Sequence, residues 1–411
     1  MRNRLDEMRE QLRDKLRADI DYSREISDGE MQEFIDDLLM REGKKQPMLL
    51  EEKAWLRKEL FYAVRKLDVL QELIDNTDIT EIMINGPDYI FVEKKGRLSR
   101  LEQKFESREK LEDIIQQIVA ACNRVVNEAS PIVDARLENG ARVNVVLSPV
   151  ALNGPIVTIR RFPDKPILMK DLISFGSLPS EVCEWLQKLV RARYNIFISG
   201  GTGSGKTTFL NALSDYIPKE ERIITIEDNA ELQILNIPNL VRMETRNANV
   251  EGCREITIRD LIKTSLRMRP DRIIVGEVRG GEAFDMMQCM NTGHDGSMST
   301  GHANSSKDML SRLENMILMG MDLPLKAMRQ QIASGIDLII HLGRLRDRSR
   351  KVLEIAEVIG FAEEEIQLKT LYRFEEEGED KNGRILGTLQ KKGELTYVEK
   401  LKAAGLYAKG G

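Results

Sequence analysis

Histidine, cysteine and aromatic residues are the scarce types in this 411-residue chain: three histidines, four cysteines and 5% phenylalanine, tryptophan and tyrosine together. The cysteines, Cys122, Cys183, Cys253 and Cys289, stand far apart and form no CxxC pair. That excludes a cysteine-held zinc site and a dense disulfide framework, and leaves reduced core thiols. No run reaches the ~18 apolar residues that cross a bilayer, and the amino-terminal MRNRLDEMRE lacks the apolar centre of a secretory signal. The expected location is cytoplasmic, at most peripheral at the cytoplasmic face of a membrane. Positive charge is not in excess either: 62 lysines and arginines face 67 aspartates and glutamates, for a net charge of −5. Neither a general attraction to phosphate backbones nor an aromatic stacking stripe is available, so no stable nucleic-acid partner is expected. What is present is 41% hydrophobic and 31% charged residues, enough to bury a sizeable core, over a length suited to two or three domains.

The pattern changes several times along the chain. Residues 1–75 read as an amphipathic helical prefix, with Leu5, Met8, Leu12, Leu16 and Ile20, then Phe34, Leu38, Leu39, then Leu56, Leu60 and Val64 at three- and four-residue steps. Such helices either pack on the next domain or dock a partner. Residues 76–162 read as an α+β domain: EIMING and YIFVEKKGRLSRLEQKF with a Lys95-Gly96 turn, a helix from Arg108, then RVNVVLSPVAL and PIVTIRRF. Two prolines in FPDKPILMKDL suggest a stiff connection over 163–177, with the boundary near Pro163. Over 178–345 short apolar strands (NIFISG, RIITIED, RIIVGEV, GSMSTGHA) alternate with helices, the signature of a mostly parallel sheet covered on both faces. Residues 346–411 read as a β-rich carboxy-terminal segment and tail, in which the acidic run EEEGED is expected to be a solvated loop.

Directly after NIFIS comes Gly200-Gly201-Thr202-Gly203-Ser204-Gly205-Lys206-Thr207, followed by Thr208, which satisfies GxxxxGK[ST] in the strand–loop–helix context that motif requires. Its glycines turn successive N–H groups toward phosphates, Lys206 reaches the β and γ oxygens of ATP, and the Thr207 hydroxyl ligates Mg2+ at a positive helix end. Glu277, closing RIIVGE, supplies the second acidic group, holding the metal through water or accepting a proton. Glu227 and Asp228 end the strand IITI; neighbours on a strand face opposite ways, so Glu227 is assigned to the attacking water and Asp228 to bracing the loop. His294 and His302 bracket GSMST eight residues apart, no metal-ligand spacing, and His302 is read as the relay of the γ-phosphate state.

Together, GGTGSGKTT, TIEDNAEL, LRMRPDRIIVGEVRGGEA and MNTGHDGSMSTGHANSS resemble the type II/type IV secretion ATPases, in particular the tight-adherence (Flp) pilus, or CpaF/TadA-like, branch. The resemblance spans about residues 80 to 345, and YRFEEEGEDKNGRILGTL is similar to that branch's carboxy terminus. It implies an α/β fold: a RecA-like P-loop domain preceded by a smaller PAS-like α+β domain. It further implies a homo-hexameric ring that clamps ATP between its domains and works on an inner-membrane pilus or secretion platform protein, with membrane association only through partners. It also implies positive charge near the phosphates from Arg279 and from Arg136, Arg142, Arg160 and Arg161 of the first domain. The four-cysteine zinc insertion common in the type II secretion branch is missing, which disfavours an outer-membrane secretion motor. Two alternatives remain open: a DNA-transfer (conjugation-type) ATPase, and a scaffold that binds ATP without hydrolysing it.

Overall fold

The computed structural model describes residues 2–19, 26–94, 96–137, 139–161, 166–246 and 254–407; Ile20, Lys95, Cys253 and the first connecting residues 163–165, all invoked above, lie outside them. The chain divides into two compact units, Met1–Pro163 and Asp164–Gly411.

The first unit opens with three helices, α1 (Arg2–Asp19), α2 (Asp28–Lys45) and α3 (Leu50–Arg65). Their apolar stripes meet in one small core containing Met8, Leu12 and Leu16 of α1, Ile35, Leu38 and Leu39 of α2, and Leu56 and Leu60 of α3. Ser27 starts α2 with a capping box shared with Glu30, which satisfies end N–H groups that the helix leaves unpaired. Helix α4 (Val69–Asp75), grouped above with the prefix, has a different partner. Its buried Val69, Leu70, Leu73 and Ile74 join the core of the following sheet. That sheet is built from β1 (Ile79–Asn85), β2 (Ile90–Lys94), β3 (Arg97–Arg100), then, after helix α5 (Arg108–Ala121), β4 (Ile132–Arg136), β5 (Arg142–Val146) and β6 (Ile156–Arg160). The strands are antiparallel in the order β3-β2-β1-β6-β5-β4, and α5 buries Leu111, Ile114, Ile115, Ile118 and Val119 in the same core.

The second unit comprises α6 (Met169–Ser174), α7 (Ser180–Arg191), β7 (Ile196–Gly200), α8 (Lys206–Ser214), β8 (Ile223–Glu227), β9 (Leu240–Glu244), α9 (Ile258–Ser265), β10 (Arg272–Val275), α10 (Glu282–Asn291), β11 (Met298–His302), α11 (Ser306–Gly320), α12 (Leu325–Gly335), β12 (Leu338–Arg344), β13 (Arg350–Ala362), β14 (Glu365–Glu379), β15 (Ile385–Lys391) and α13 (Glu399–Ala403). Its sheet runs β15-β14-β13-β12-β7-β11-β10-β8-β9. The pairs from β12 to β9 are parallel, and β13–β15 continue the same sheet as antiparallel strands. Strands β7, β8 and β10 are buried at every position, as unbroken apolar runs in a doubly covered sheet must be. One face packs α6–α8, the other α9–α12.

The carboxy-terminal segment corrects one expectation. The acidic run is not a solvated loop but the second half of β14, whose Glu376 accepts from Arg346 at 2.8 Å and whose Glu379 accepts from Arg346 at 2.6 Å. Opposite charge on the neighbouring turn is what lets so acidic a segment stay extended in a ladder. Beyond β15, the Glu357 carboxylate accepts from the Thr396 and Tyr397 amides at 2.8 Å each, the Tyr194 hydroxyl donates to the Tyr397 carbonyl at 2.6 Å, and Lys400 of α13 reaches Asp337 at 2.7 Å and Asp295 at 2.8 Å. These bonds fasten the last helix beside the residues that lead into β7.

Candidate active site

Strand β7 ends at Gly200, and parallel register sets that residue opposite His302 at the end of β11 and Leu342 on β12. A side chain at Gly200 would come within 2.5 Å of the Leu342 carbonyl oxygen, so the exit of the strand admits only glycine. The turn into α8 passes through Gly203 and Gly205 at φ +72° and +93°, left-handed conformations that glycine adopts without strain. Helix α8 therefore starts at Lys206, with Thr207 and Thr208 in its first turn, half-buried, while Gly201, Thr202 and Gly203 form an exposed crest.

The Lys206 ammonium curls back over this loop. It donates to the carbonyls of Gly200 at 3.1 Å and Gly201 at 3.0 Å and stands 3.2 Å from His302 Nδ1. An ammonium has only protons to offer, so Nδ1 accepts and the ring proton sits on Nε2. Nε2 in turn lies 2.9 Å from Glu277 Oε1, whose other oxygen accepts from Arg279 at 2.8 Å. Burial holds the His302 pKa below its ordinary value, the Glu277 charge opposing and Lys206 reinforcing the effect; the ring is neutral. Burial also lowers the Lys206 pKa, with Glu277 pulling it up. Glu277 is stitched to the neighbouring strand: the amide of Val278 donates to the Thr300 carbonyl and the Thr300 hydroxyl to the Gly276 carbonyl, at 3.0 and 2.8 Å. Lys206, His302, Glu277 and Arg279 are thus one connected group at the carboxyl edge of the sheet.

Magnesium, which accompanies a nucleotide at such a loop, can be tested against these residues. Glu277 Oε1 is buried and, for all its closeness to His302, has no hydrogen bond of good alignment. An orphaned acceptor of that kind is what a metal-bound water supplies with a proton. Together with the Thr207 hydroxyl at the start of α8, the donor set is hard oxygen throughout and fits Mg2+.

Glu227 sits differently from its assignment. Its side chain is 3% exposed, and Oε2 accepts from the amides of Glu231 at 2.8 Å and Leu232 at 2.9 Å. The loop bracing given above to Asp228 falls on Glu227, while Asp228 stands 3.8 Å from Arg279. Burial, outweighing the two amide donors, pushes the Glu227 carboxyl up to about 7. His294 lies before β11 and His302 at its end, and a five-residue strand spans roughly 17 Å. Only His302 belongs to the phosphate edge.

In the first unit the register arranges the arginines. Arg136 pairs with Arg142, and Arg142 with Arg160, across β4, β5 and β6. Three like charges in one cross-strand row oppose one another. Their neighbours include carboxylates and a carbonyl: Asp134 stands 3.9 Å from Arg142, Glu81 of β1 is the cross-strand neighbour of Arg160, and Arg136 donates to the Gly140 carbonyl. Arg161 follows Arg160, faces the other way along the strand direction and donates to the Ile74 carbonyl at 3.1 Å, so it does not belong to the row.

Two arginines were not anticipated. The β12–β13 hairpin carries Arg344 and Arg350, a cross-strand pair, to the glycine loop Gly200–Lys206 (the Walker loop), where Arg350 Nε donates to the Gly203 carbonyl at 2.9 Å. Nothing in RLRDRSR signals this; it follows from β12 pairing with β7, 142 residues earlier in the chain.

A family model described as type II/IV secretion system protein matches residues 64–386. A putative conjugal transfer protein of Mycobacterium tuberculosis is 34% identical over 310 residues, covering 74% of this chain and 87% of that protein. The conjugal transfer protein TrbB of Rhizobium radiobacter is 30% identical over 322 residues, covering 76% and 96%. Among solved structures, the pilus retraction motor PilT with bound ADP superposes with a TM-score of 0.50 at 19% identity, over 83% of this chain and 86% of that one.

Proposed function

The chain belongs to the type II/IV secretion system protein family, and on that premise we propose that it is an ATP-hydrolysing motor that powers assembly of an Flp-type pilus, or protein export, through a membrane platform protein as a homo-hexameric ring. The observation that carries the hydrolytic part is the single connected group of Lys206, His302, Glu277 and Arg279 beside a glycine loop shaped for phosphates. Lys206 exchanges its loop carbonyls and His302 for the β and γ oxygens. Glu277, held by Arg279, orients the attacking water and takes its proton. His302 lies between the two and feels the arrival and loss of the γ-phosphate. Thr207 and, through water, Glu277 would hold Mg2+, which would supply charge neutralisation at the phosphates. Glu227 supports the reaction from behind, by fixing the Glu231–Leu232 segment, and its Oε1, buried and without a hydrogen bond, leaves it able to accept from water. Arg142 and Arg160, with Arg136, are the cations that a triphosphate neutralises in the first unit.

The experiment is phosphate release by the full chain. Lys206→Ala should abolish nucleotide binding. Glu277→Gln should keep ATP bound and slow turnover by ~10²-fold or more. Wild-type turnover in either folded variant refutes the assignment of that residue.

A second reading is favoured by the relatives named as conjugal transfer proteins: a motor of a DNA-transfer machine. Stimulation of ATPase by DNA supports that reading; stimulation only by a membrane platform protein supports the first.

A further inference from the structure

We propose that Arg350 is a positioning residue of the nucleotide site: from the first position of β13 its guanidinium grips the Walker loop at the Gly203 carbonyl and keeps the loop in the shape that receives phosphates. The inference rests on the ATPase reading above, and it names a residue in a stretch that no nucleotide-binding motif covers.

The bonds of the loop point to this role. Inside the loop, the Ser204 amide, the Ser204 hydroxyl and the Lys206 ammonium all converge on one acceptor, the Gly201 carbonyl. Among the described residues, the bond that reaches the segment Gly201–Gly205 from outside residues 200–209 is that of Arg350 to Gly203. The Arg350 stem also covers the loop, since a Cβ placed on Gly205 would meet its Cδ at 3.3 Å. A loop with glycine at four of its first six positions loses much backbone freedom when it orders. A brace formed before the ligand arrives removes part of that cost from binding.

The hairpin is itself a fixed strut. Arg346 bonds Glu376 and Glu379, Asp347 accepts from the Ser349 and Ile385 amides at 2.9 Å each, and Lys351 donates to the Gly176 carbonyl at 2.6 Å. Arg350 is exposed, so its replacement leaves the core untouched.

The test uses the full chain, titrating a fluorescent ATP analogue with Mg2+ and measuring steady-state phosphate release and thermal midpoint. Arg350→Ala should weaken binding and raise KM by about tenfold, the size expected for one charge-assisted hydrogen bond, with kcat within about twofold of wild type. Arg350→Lys should recover most of the affinity. Arg346→Ala removes a guanidinium from the same turn without touching the glycine loop, and because Asp347 and Lys351 still hold the hairpin it should leave affinity within about twofold of wild type. Wild-type affinity in Arg350→Ala, or an equal loss in Arg346→Ala, overturns the positioning role. A wild-type chain that neither binds the analogue nor releases phosphate overturns the ATPase reading itself, and the inference with it.

Discussion

Glu227 shows how one buried carboxyl can be read in stability as well as in turnover. Its folded pKa of about 7 lies above the ordinary glutamate value because burial outweighs its two amide donors. Below pH ~4.5 the group is protonated in folded and unfolded chains alike, and it costs nothing. As pH rises from there to about 7, the unfolded chain gives up the proton that the folded chain keeps, so stability falls; above pH 7 the loss is complete, at about 3 kcal/mol. Denaturant midpoints at pH 5 and pH 7.5 should therefore drop further for wild type than for Glu227→Gln, and equal drops would show that the burial argument is wrong. At the residue scale, that Lys206, Glu277 and His302 lie at one sheet edge was legible, because a motif or a strand end announces each. Which of Glu227 and Asp228 turns inward was not, since alternation along a strand says that neighbours differ without saying which one faces the loop.

At the scale of elements, the loop from β10 to α10 and the end of α11 meet backbone to backbone. A Cβ on Gly281 would lie 2.7 Å from the Gly320 Cα, and one on Gly320 would lie 2.8 Å from the Gly281 Cα. The contact stands two residues past Arg279, whose amide and that of Gly280 are held by Glu282 at 2.6 and 2.9 Å. Gly320→Ala must therefore push the Arg279–Glu282 segment away from Glu277. The expected result is ~1–3 kcal/mol of destabilisation, as overpacking costs, together with reduced turnover; unchanged chemical denaturation and unchanged kcat would show that the two elements are free to separate. Element identity was largely readable, because β7, β8 and β10 are short apolar runs between amphipathic helices. The second half of β14 was not: Glu375, Glu376 and Glu377 carry no strand signal, and their pairing depends on Arg346 and Lys392 from other elements.

For the molecule as a whole, the row Arg136–Arg142–Arg160 sets three like charges side by side, countered within the sheet by Glu81 opposite Arg160 and by Asp134 near Arg142. Arg142→Ala and Arg160→Ala should each leave the fold unharmed or slightly stabilised while lowering kcat of the full chain, by up to ~10³-fold if the guanidinium meets charge that grows in the transition state. Wild-type kcat in both variants would return the row to ordinary surface charge. Composition and motif order disclosed that there are two working parts, but no local pattern could disclose which strand of one lies beside which, because the decisive pairings are remote in sequence. That remoteness has a biosynthetic side. Strand β7 is buried at every position, yet it waits for β12, made about 140 residues later, and the bond from Tyr194 that closes its approach waits for Tyr397, 203 residues on. At about 5–20 residues per second, a nascent chain carries this apolar strand with its β12 edge open for roughly 7–28 s, an interval in which an unpaired edge favours aggregation.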